Sequence, residues 1–423
     1  MTTLPNSFPE VTYRDAVPLD DGHSAAVSVS SQSAAVARNI PIGYLRAFVT
    51  LMVVAHHAVL AYLQYAPHQA RSLDRSFFWA AFPVVDSHRW PGVDLFVGYN
   101  DTFFMSLMFL LSGVFVWSSL LRKGAAVFAR DRILRLGLPF VVSAGLLAPL
   151  AYYPAWLLGV RSSSFWKQWL ALEAWPAGPA WFLWVLLAFG LVAAAMFAIS
   201  RQWGEVLGRI LGRLAVRPIV FVAAMIGVSA LAYMPMAAVF TPEKWLSFGP
   251  FFAQTSRLVL YAVYFFAGIG LGAYGVERGL LAPRGKLAAR WYLWALGSVA
   301  TFLISIITLL VILGTLAKGG PGRGLSTFGN FTFVLTCTAA SIAFVAVFVR
   351  FARTTNRVFE NLSANAYGIY IFHYFCVSWL QLSLVHANLP GAAKGTIVFA
   401  GALALSWSLT AALRQVRAIR RVI

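Results

Sequence analysis

Long apolar runs recur along the chain after residue 40, and short polar segments rich in basic residues separate them. Most runs approach the roughly 20 residues that an α-helix needs to cross the hydrocarbon core of a bilayer. The pattern predicts an all-α integral membrane protein, a bundle of about ten transmembrane helices. The predicted spans are residues 44–65, 101–121, 134–157, 179–199, 218–240, 257–275, 291–314, 331–349, 363–385 and 395–413.

Lysine and arginine are concentrated in every second connection between these spans. Because cytoplasmic loops of membrane proteins carry an excess of both residues, this alternation predicts an even number of helices with both termini in the cytoplasm. The basic clusters are Arg122, Lys123, Arg130, Arg132 and Arg135; Arg201, Arg209, Arg213 and Arg217; Arg278, Arg284, Lys286 and Arg290; Arg350, Arg353 and Arg357; and Arg414, Arg417, Arg420 and Arg421.

The composition excludes an ordinary soluble domain, since 60% of the 423 residues are hydrophobic and 11% are charged, with a mean hydropathy of +0.74. The net charge of +19 does not indicate nucleic-acid binding, because the basic residues form short clusters between apolar runs rather than one basic face. Cys337 and Cys376 both lie in apolar segments, so neither a disulfide framework nor a cysteine metal site is predicted.

Three regions follow from the distribution of polar residues. Residues 1–40 are polar and rich in serine and alanine, which predicts a disordered cytoplasmic tail. Residues 41–414 form the predicted transmembrane domain, and residues 415–423 a basic cytoplasmic tail. Two non-cytoplasmic segments, 66–100 and 158–178, are long enough to cover a site, or else anchor the protein at the membrane surface through their tryptophans.

Ionisable residues inside the first span are the strongest functional signal, because such groups are costly in a bilayer. His56 and His57 lie deep in the run, and Arg46 marks its cytoplasmic end. Eleven positions separate Arg46 from His57, which at about 100° per residue places both on one helix face, roughly 16 Å apart. Histidine is suited to act as a general base. His57 is therefore the leading catalytic candidate and His56 the second; a hydrogen-bonded structural histidine is the alternative.

The basic connection after the second span offers a candidate phosphate site. Arg132 and Arg135 lie three positions apart, about 60° from each other around a helix. Guanidinium groups match the geometry of phosphate, so this pair predicts a site for a phosphorylated ligand on the cytoplasmic side. The alternative is that these arginines serve topology and a helix pair between Asp131 and Arg135.

Further polar residues accompany these candidates within the apolar spans. Ser112 precedes Gly113 in a small-residue pair suited to close helix packing or a local break. Tyr370 and His373 lie three residues apart on one helix face, where both side chains can line a polar cavity. Asp101 stands at the predicted start of the second helix, and it either caps that helix or orients a histidine or acceptor hydroxyl.

These motifs, in this order, resemble the acyltransferase-3 family of multi-pass membrane O-acyltransferases over about residues 40 to 420. The resemblance rests on Arg46 with ten residues before His57, FFMSLMFLLSG at 103–113, the Arg132-x-x-Arg135 element, GPAWFLWVLL at 178–187, YFFAGIGLG at 264–272 and LSANAYGIYIFHYF at 362–375. No SGNH-type domain is expected, so the chain is identified as a stand-alone member.

The resemblance implies transfer of an acetyl or succinyl group from acyl-CoA to a hydroxyl of a glycan, glucan or lipid-linked sugar. It implies acyl-CoA as co-substrate with no bound cofactor or metal, donor binding by Arg46, Arg132 and Arg135, and a bacterial cytoplasmic membrane. Ser112, Tyr370, His373 and Asp101 are expected to line the cavity or bind the acceptor. Direct transfer and a covalent acyl-histidine both remain open. The rival prediction is a proton-coupled transporter of a small anion.

Overall fold

In a bilayer every backbone N–H and C=O needs an internal partner, and a helix supplies one within its own segment. The computed structural model describes residues 39–68, 73, 82–317 and 319–423, and the apolar runs within them are helical. The helices are α1 Ile40–Val59, α2 Val93–Gly113, α3 Val116–Arg132, α4 Leu138–Val142, α5 Ala148–Leu158, α6 Phe165–Leu170, α7 Trp181–Ile199, α8 Trp203–Ala215, α9 Pro218–Phe240, α10 Leu258–Tyr274, α11 Lys286–Ala289, α12 Trp291–Leu316, α13 Arg323–Phe351, α14 Arg357–Leu384, α15 Gly391–Leu413 and α16 Arg417–Arg420.

One short antiparallel hairpin, β1 Trp245–Phe248 and β2 Phe251–Gln254, follows α9. Within the described ranges nine helical stretches are long and apolar enough to cross a membrane, which confirms an all-α membrane protein. The predicted span missing from that set is α14, a 28-residue helix that packs along α1, α5 and α15. Its hydropathy is lowered by buried polar side chains, among them Asn365, His373 and Gln381.

The first helix lies at the centre of the bundle, and the seventh predicted span lies at its edge. The span containing α1 is 78% buried, and that of α12 is 6% buried. The neighbours of α1 are α2, α13, α14 and α15. An ionisable residue on α1 is therefore surrounded by protein, whereas the exposed apolar surface of α12 suits contact with lipid tails.

The second helix begins earlier than its hydropathy predicts. It starts at Val93 after the N-cap Gly92, whose φ of +85° suits glycine, rather than at residue 101. The polar residues Asp94, Asn100 and Asp101 conceal its first two turns from a hydropathy window. The N-cap interpretation of Asp101 is therefore wrong, and the segment before α2 ends at residue 92.

Residues 116–158 form a helical stretch of 43 residues, about twice the length that one crossing requires. Gly124 interrupts it with a non-helical φ of +74°. Two π-helical segments, Ile133–Gly137 and Ser143–Leu147, follow. Such segments change which side chains share a helix face and often occur at functional sites.

Two glycine motifs in the sequence form the two sides of one helix contact. The Cβ that an alanine would add at Gly113 would lie 2.1 Å from the carbonyl oxygen of Phe265. A Cβ at Gly268 would lie 2.1 Å from the carbonyl oxygen of Leu110, and one at Gly272 would lie 1.8 Å from that of Val114. Backbone therefore touches backbone where α2 meets α10, which small residues permit.

The segment before α2 is fastened to the ends of α1 and α15. Trp90 N–H donates to the carbonyl oxygen of Tyr62 at 2.8 Å. Lys394 Nζ, fully buried, donates to Asp86 Oδ2 at 2.6 Å. A buried charge requires such a partner. Residues 69–72 and 74–81 of the predicted external segment lie outside the described residues.

Several predicted cytoplasmic connections meet at the end of the bundle where α1 starts, called here the arginine end. Asn39 Nδ2 donates to the carbonyl oxygen of Val276 at 3.1 Å, and Asn356 N–H donates to the hydroxyl of Tyr44 at 2.8 Å. These contacts place three connections on one side. Which side of the membrane this end faces stays a prediction, and residues 1–38 of the predicted tail lie outside the described residues.

We expect Gly268→Ala to destabilise the protein by about 1–3 kcal/mol, because the added methyl group meets backbone atoms that cannot rotate away. Gly227→Ala on α9 is the matched control, since nothing lies within 4 Å of its added Cβ. Thermal unfolding of both variants in one detergent, followed by tryptophan fluorescence, measures the difference. Equal unfolding midpoints would contradict the proposed α2–α10 contact.

Candidate active site

One face of α1 runs from the arginine end to the last turn of the helix, where His57 lies. Arg46 and Thr50 line a cavity at that end, and Thr50 Oγ1 donates to the carbonyl oxygen of Arg46 at 3.0 Å. His57 follows on the same face, three turns from Arg46. The side chain of His57 keeps 8% of its surface exposed, so it is mostly enclosed by protein.

A second histidine holds His57 in one tautomer. His57 Nδ1 lies 2.8 Å from the carbonyl oxygen of Val53 and 3.3 Å from His373 Nε2. His373 Nδ1 lies 2.7 Å from the carbonyl oxygen of Tyr370. Since a carbonyl oxygen only accepts, each neutral imidazole carries its proton on Nδ1. The Nε2 lone pair of His373 then faces Nδ1–H of His57.

The consequence is a free basic nitrogen on His57. Among the described residues no hydrogen bond uses its Nε2 atom, which carries the lone pair in this tautomer. The ring is further fixed by an edge contact with Tyr374, whose centroid lies 5.2 Å away. Gln381 Nε2 donates to the carbonyl oxygens of His57 and Ala58, both at 3.1 Å. Side chains of α14 therefore position both the imidazole and its backbone.

His56 points in a different direction, toward α2. Its ring stacks on Phe104 at 5.2 Å and meets the edge of His57 at 5.3 Å. Its Nδ1 atom is buried and has no hydrogen-bond partner among the described residues. The side chain also lies within electrostatic range of Asp101. Nδ1 of His57 is therefore held by hydrogen-bond acceptors, whereas Nδ1 of His56 has none among the described residues.

The cavity at the arginine end is strongly basic. Its volume is about 420 Å³, and no aspartate or glutamate side chain belongs to its lining among the described residues. Arg132 lies within electrostatic range of both Arg46 and Arg135, so like charges converge there. Such repulsion is relieved when an anion binds. Six arginines line it: Arg46, Arg132, Arg135, Arg414, Arg420 and Arg421.

The helix geometry around 128–137 directs two of these arginines. The guanidinium of Arg132 lies over the ring of Phe128, 4.8 Å from its centroid. Arg135 lies in the π-helical segment, and its carbonyl oxygen accepts a hydrogen bond from the hydroxyl of Tyr367. A contact from α14 therefore fixes the segment that carries Arg135.

Asp101 is separate from this cavity and forms part of an ion pair. Arg257 Nη2 donates to Asp101 Oδ2 at 2.9 Å, and Arg257 Nη1 donates to its carbonyl oxygen, also at 2.9 Å. The side chain of Asp101 is 53% exposed and that of Arg257 is 9% exposed. A nearly buried guanidinium needs this carboxylate. Asp101 therefore binds an arginine rather than capping α2.

Most of the predicted site residues come together in two adjoining places. Arg46, Ser112, Arg132, Arg135 and Tyr370 line the basic cavity. His57 and His373 lie next to its inner end, since the ring of Tyr370 is 5.7 Å from that of His373. The lining also includes residues that the sequence did not single out as site residues, among them Tyr367, Arg414, Arg420 and Arg421. For the three arginines, membership of a basic cluster was the only signal in the sequence.

A buried histidine with an unused ring nitrogen near an arginine-lined cavity has the chemical groups that acyl transfer can use. The acyltransferase-3 family model, described as an acyltransferase domain, matches residues 40–411. The chain therefore belongs to the acyltransferase-3 family, and it is a membrane acyltransferase. This membership favours the enzyme over the transporter. No curated protein and no solved structure matches the chain.

Proposed function

We propose that the protein moves an acetyl or succinyl group from acyl-CoA to a hydroxyl of a carbohydrate-containing acceptor, with His57 as general base. The observation that carries this proposal is the free Nε2 atom of His57 beside an arginine-lined cavity. The acetyl or succinyl donor and the glycan, glucan or lipid-linked sugar acceptor rest on the family resemblance alone. Acyl-CoA is a co-substrate in this proposal, not a bound cofactor.

The shape of the cavity supports binding of the donor with its nucleotide at the arginine end. Phosphates are matched by the guanidinium groups of Arg46, Arg132 and Arg135. The uncharged pantetheine arm suits the apolar part of the lining, which includes Met108 and Phe182. Arg46 precedes His57 by about 16 Å of helix. A donor held by its phosphates at this end would extend its thioester toward His57.

The reaction is written as direct acyl transfer. Nε2 of His57 takes the proton from the acceptor hydroxyl as the oxygen attacks the thioester carbonyl carbon. A carbon–oxygen bond forms and the carbon–sulfur bond breaks. The proton on Nε2 then passes to the departing CoA sulfur, so that free CoA and the O-acyl product leave a neutral histidine. Atoms and charge therefore balance with no further reactant.

His373 acts as a positioning residue in this scheme. Its Nε2 lone pair lies 3.3 Å from Nδ1 of His57, so it accepts from the same N–H that Val53 orients. When His57 carries two protons during the reaction, these two acceptors stabilise its positive charge. Asp101 is proposed to contribute on the acceptor side through its exposed carboxylate. His56 lies within electrostatic range of Asp101 and contacts the ring of His57.

The arginine end is proposed to face the cytoplasm of a bacterial cell, with the protein in the cytoplasmic membrane. The basic residues in the connections at this end support that orientation. Cytoplasmic acyl-CoA would then enter the basic cavity directly. The acceptor would reach His57 from the opposite side, where Asp101 is half exposed.

Replacement of His57 tests the general base. We expect His57→Gln, assayed in nanodiscs with acetyl-CoA and succinyl-CoA and surface-glycan extracts, to lower kcat by about 10²–10⁴-fold, because glutamine cannot take the proton. His56→Gln on the same helix is the matched control and should lose much less. If His56→Gln is instead the inactive variant and His57→Gln retains turnover, the assignment of the base is wrong.

Replacement of His373 tests its positioning role. His373→Phe keeps a ring between α1 and α14 but removes the acceptor for His57 Nδ1–H. We expect kcat to fall by about tenfold or more with an unchanged KM for the donor. The reason is that the lost hydrogen bond is charge-assisted only while His57 is positively charged, which happens during the reaction. A rise in KM with unchanged kcat would show that His373 binds substrate instead.

Donor binding is tested by Arg132→Ala combined with Arg135→Ala. We expect donor affinity to fall about tenfold or more, with a smaller change in acceptor affinity, because two phosphate partners are removed. The control is Arg122→Ala combined with Arg130→Ala, which removes the same charge from exposed positions that do not belong to the cavity lining. Isothermal titration calorimetry with CoA measures the affinity for the donor. Equal loss for donor and acceptor in the folded variant would contradict the assignment.

A further inference from the structure

The segment after α15 returns to the basic cavity. Helix α15 ends at Leu413, and after a turn the short helix α16, Arg417–Arg420, follows. Arg420 and Arg421 are exposed, and both belong to the cavity lining. Arg417, on the same short helix, does not. The segment therefore presents only some of its arginines to the cavity.

Arg414 fastens the beginning of this segment to α14. Its Nη1 atom donates to the carbonyl oxygen of Ala364 at 2.6 Å and to Asn365 Oδ1 at 2.8 Å. Its Nε atom is buried and has no hydrogen-bond partner among the described residues. The anchored guanidinium thus holds the start of the segment at the cavity and keeps one donor unused.

The arginines of the cavity fall into two groups by their place in the fold. Arg46, Arg132 and Arg135 come from α1 and the α3 region, and Arg132 lies within electrostatic range of the other two. Arg414, Arg420 and Arg421 come from the segment after α15. Among the described residues no aspartate or glutamate side chain lines the cavity, so two groups of cations favour a ligand that carries negative charge at more than one place. Acyl-CoA carries a diphosphate and a separate 3′-phosphomonoester.

We propose that Arg420 and Arg421, with Arg414 as their anchor, bind the 3′-phosphomonoester of acyl-CoA and make the enzyme select CoA over dephospho-CoA. This proposal rests on the proposed function and names residues beyond it. The α1 and α3 arginines then take the diphosphate, nearer the apolar inner end where the pantetheine arm lies. Arg420 and Arg421, which are both exposed, would hold the outermost group of the donor.

Binding of two ligands to the full chain in phosphatidylcholine nanodiscs tests this proposal. The probes are CoA and dephospho-CoA, which differ only in the 3′-phosphate. Arg420→Ala combined with Arg421→Ala is expected to weaken CoA binding about tenfold and to leave dephospho-CoA binding nearly unchanged, since charge-assisted hydrogen bonds to that phosphate are lost. The affinity of CoA for the variant should also depend less on salt.

The matched control is Arg417→Ala combined with Arg130→Ala, which removes the same charge from positions outside the cavity lining. It should keep the wild-type preference for CoA. Thermal unfolding of each variant establishes that the bundle is intact. Equal weakening of both ligands in the Arg420 and Arg421 variant, or the same change in the control, would show a general charge effect and overturn the proposal.

The remaining outcomes separate this proposal from the proposed function. Wild-type protein that binds CoA, with unchanged selectivity in the double variant, would overturn only the role of the C-terminal arginines. Absence of CoA binding by the wild type would overturn the proposed donor and this proposal with it. The double substitution could also change CoA affinity only in nanodiscs that contain phosphatidylglycerol. That result would identify lipid phosphate, and not the nucleotide, as the partner of Arg420 and Arg421.

Discussion

His57 Nδ1 donates toward the carbonyl oxygen of Val53 at 2.8 Å and toward His373 Nε2 at 3.3 Å, and the chemistry proposed for the protein depends on this contact between α1 and α14. A lone histidine in the middle of a bundle could adopt either tautomer. Here two acceptors select one, which leaves Nε2 as the nitrogen proposed to act as the base. Gln381 binds the backbone carbonyl of His57 in addition. Helix α14 therefore controls the direction, the protonation pattern and the depth of the reacting group.

The polarity of α14 follows from the same requirement. A helix that supplies His373, Gln381 and Asn365 to the interior cannot also be strongly apolar, and it falls short of the hydropathy of the other long helices. Its position between α1, α5 and α15 satisfies these polar groups within the protein. The basic cavity carries a different energetic cost, the electrostatic repulsion among its arginines. Arg132 is repelled by Arg46 and Arg135 in the free protein, and the proposed phosphorylated donor would relieve that repulsion.

Periodicity and spacing were sufficient to predict most of the spans, because the length and apolar character of a span are properties of a single helix. Contacts between distant segments were not predictable in the same way. Arg257 and Asp101 are 156 positions apart, and nothing in the local pattern links them. The positive-inside rule alone accounts for Arg420 and Arg421, so nothing in the sequence was a reason to place them in the cavity lining. The start of α2 was missed because polar residues interrupt its hydropathy.

In the proposed function the donor and the acceptor reach His57 from opposite ends of the bundle, and this arrangement would limit what has to cross the membrane. The phosphates of the proposed donor are held at the arginine end, where the cavity is basic, and no charged group of CoA needs to enter the apolar interior. On the other side, Asp101 and Arg257 form a polar surface near His56. If His57 receives the thioester from one end and the hydroxyl from the other, the enzyme moves only the acyl group. The energetic cost of burying a nucleotide is thereby avoided, and one fixed imidazole between the two ends is enough to connect them.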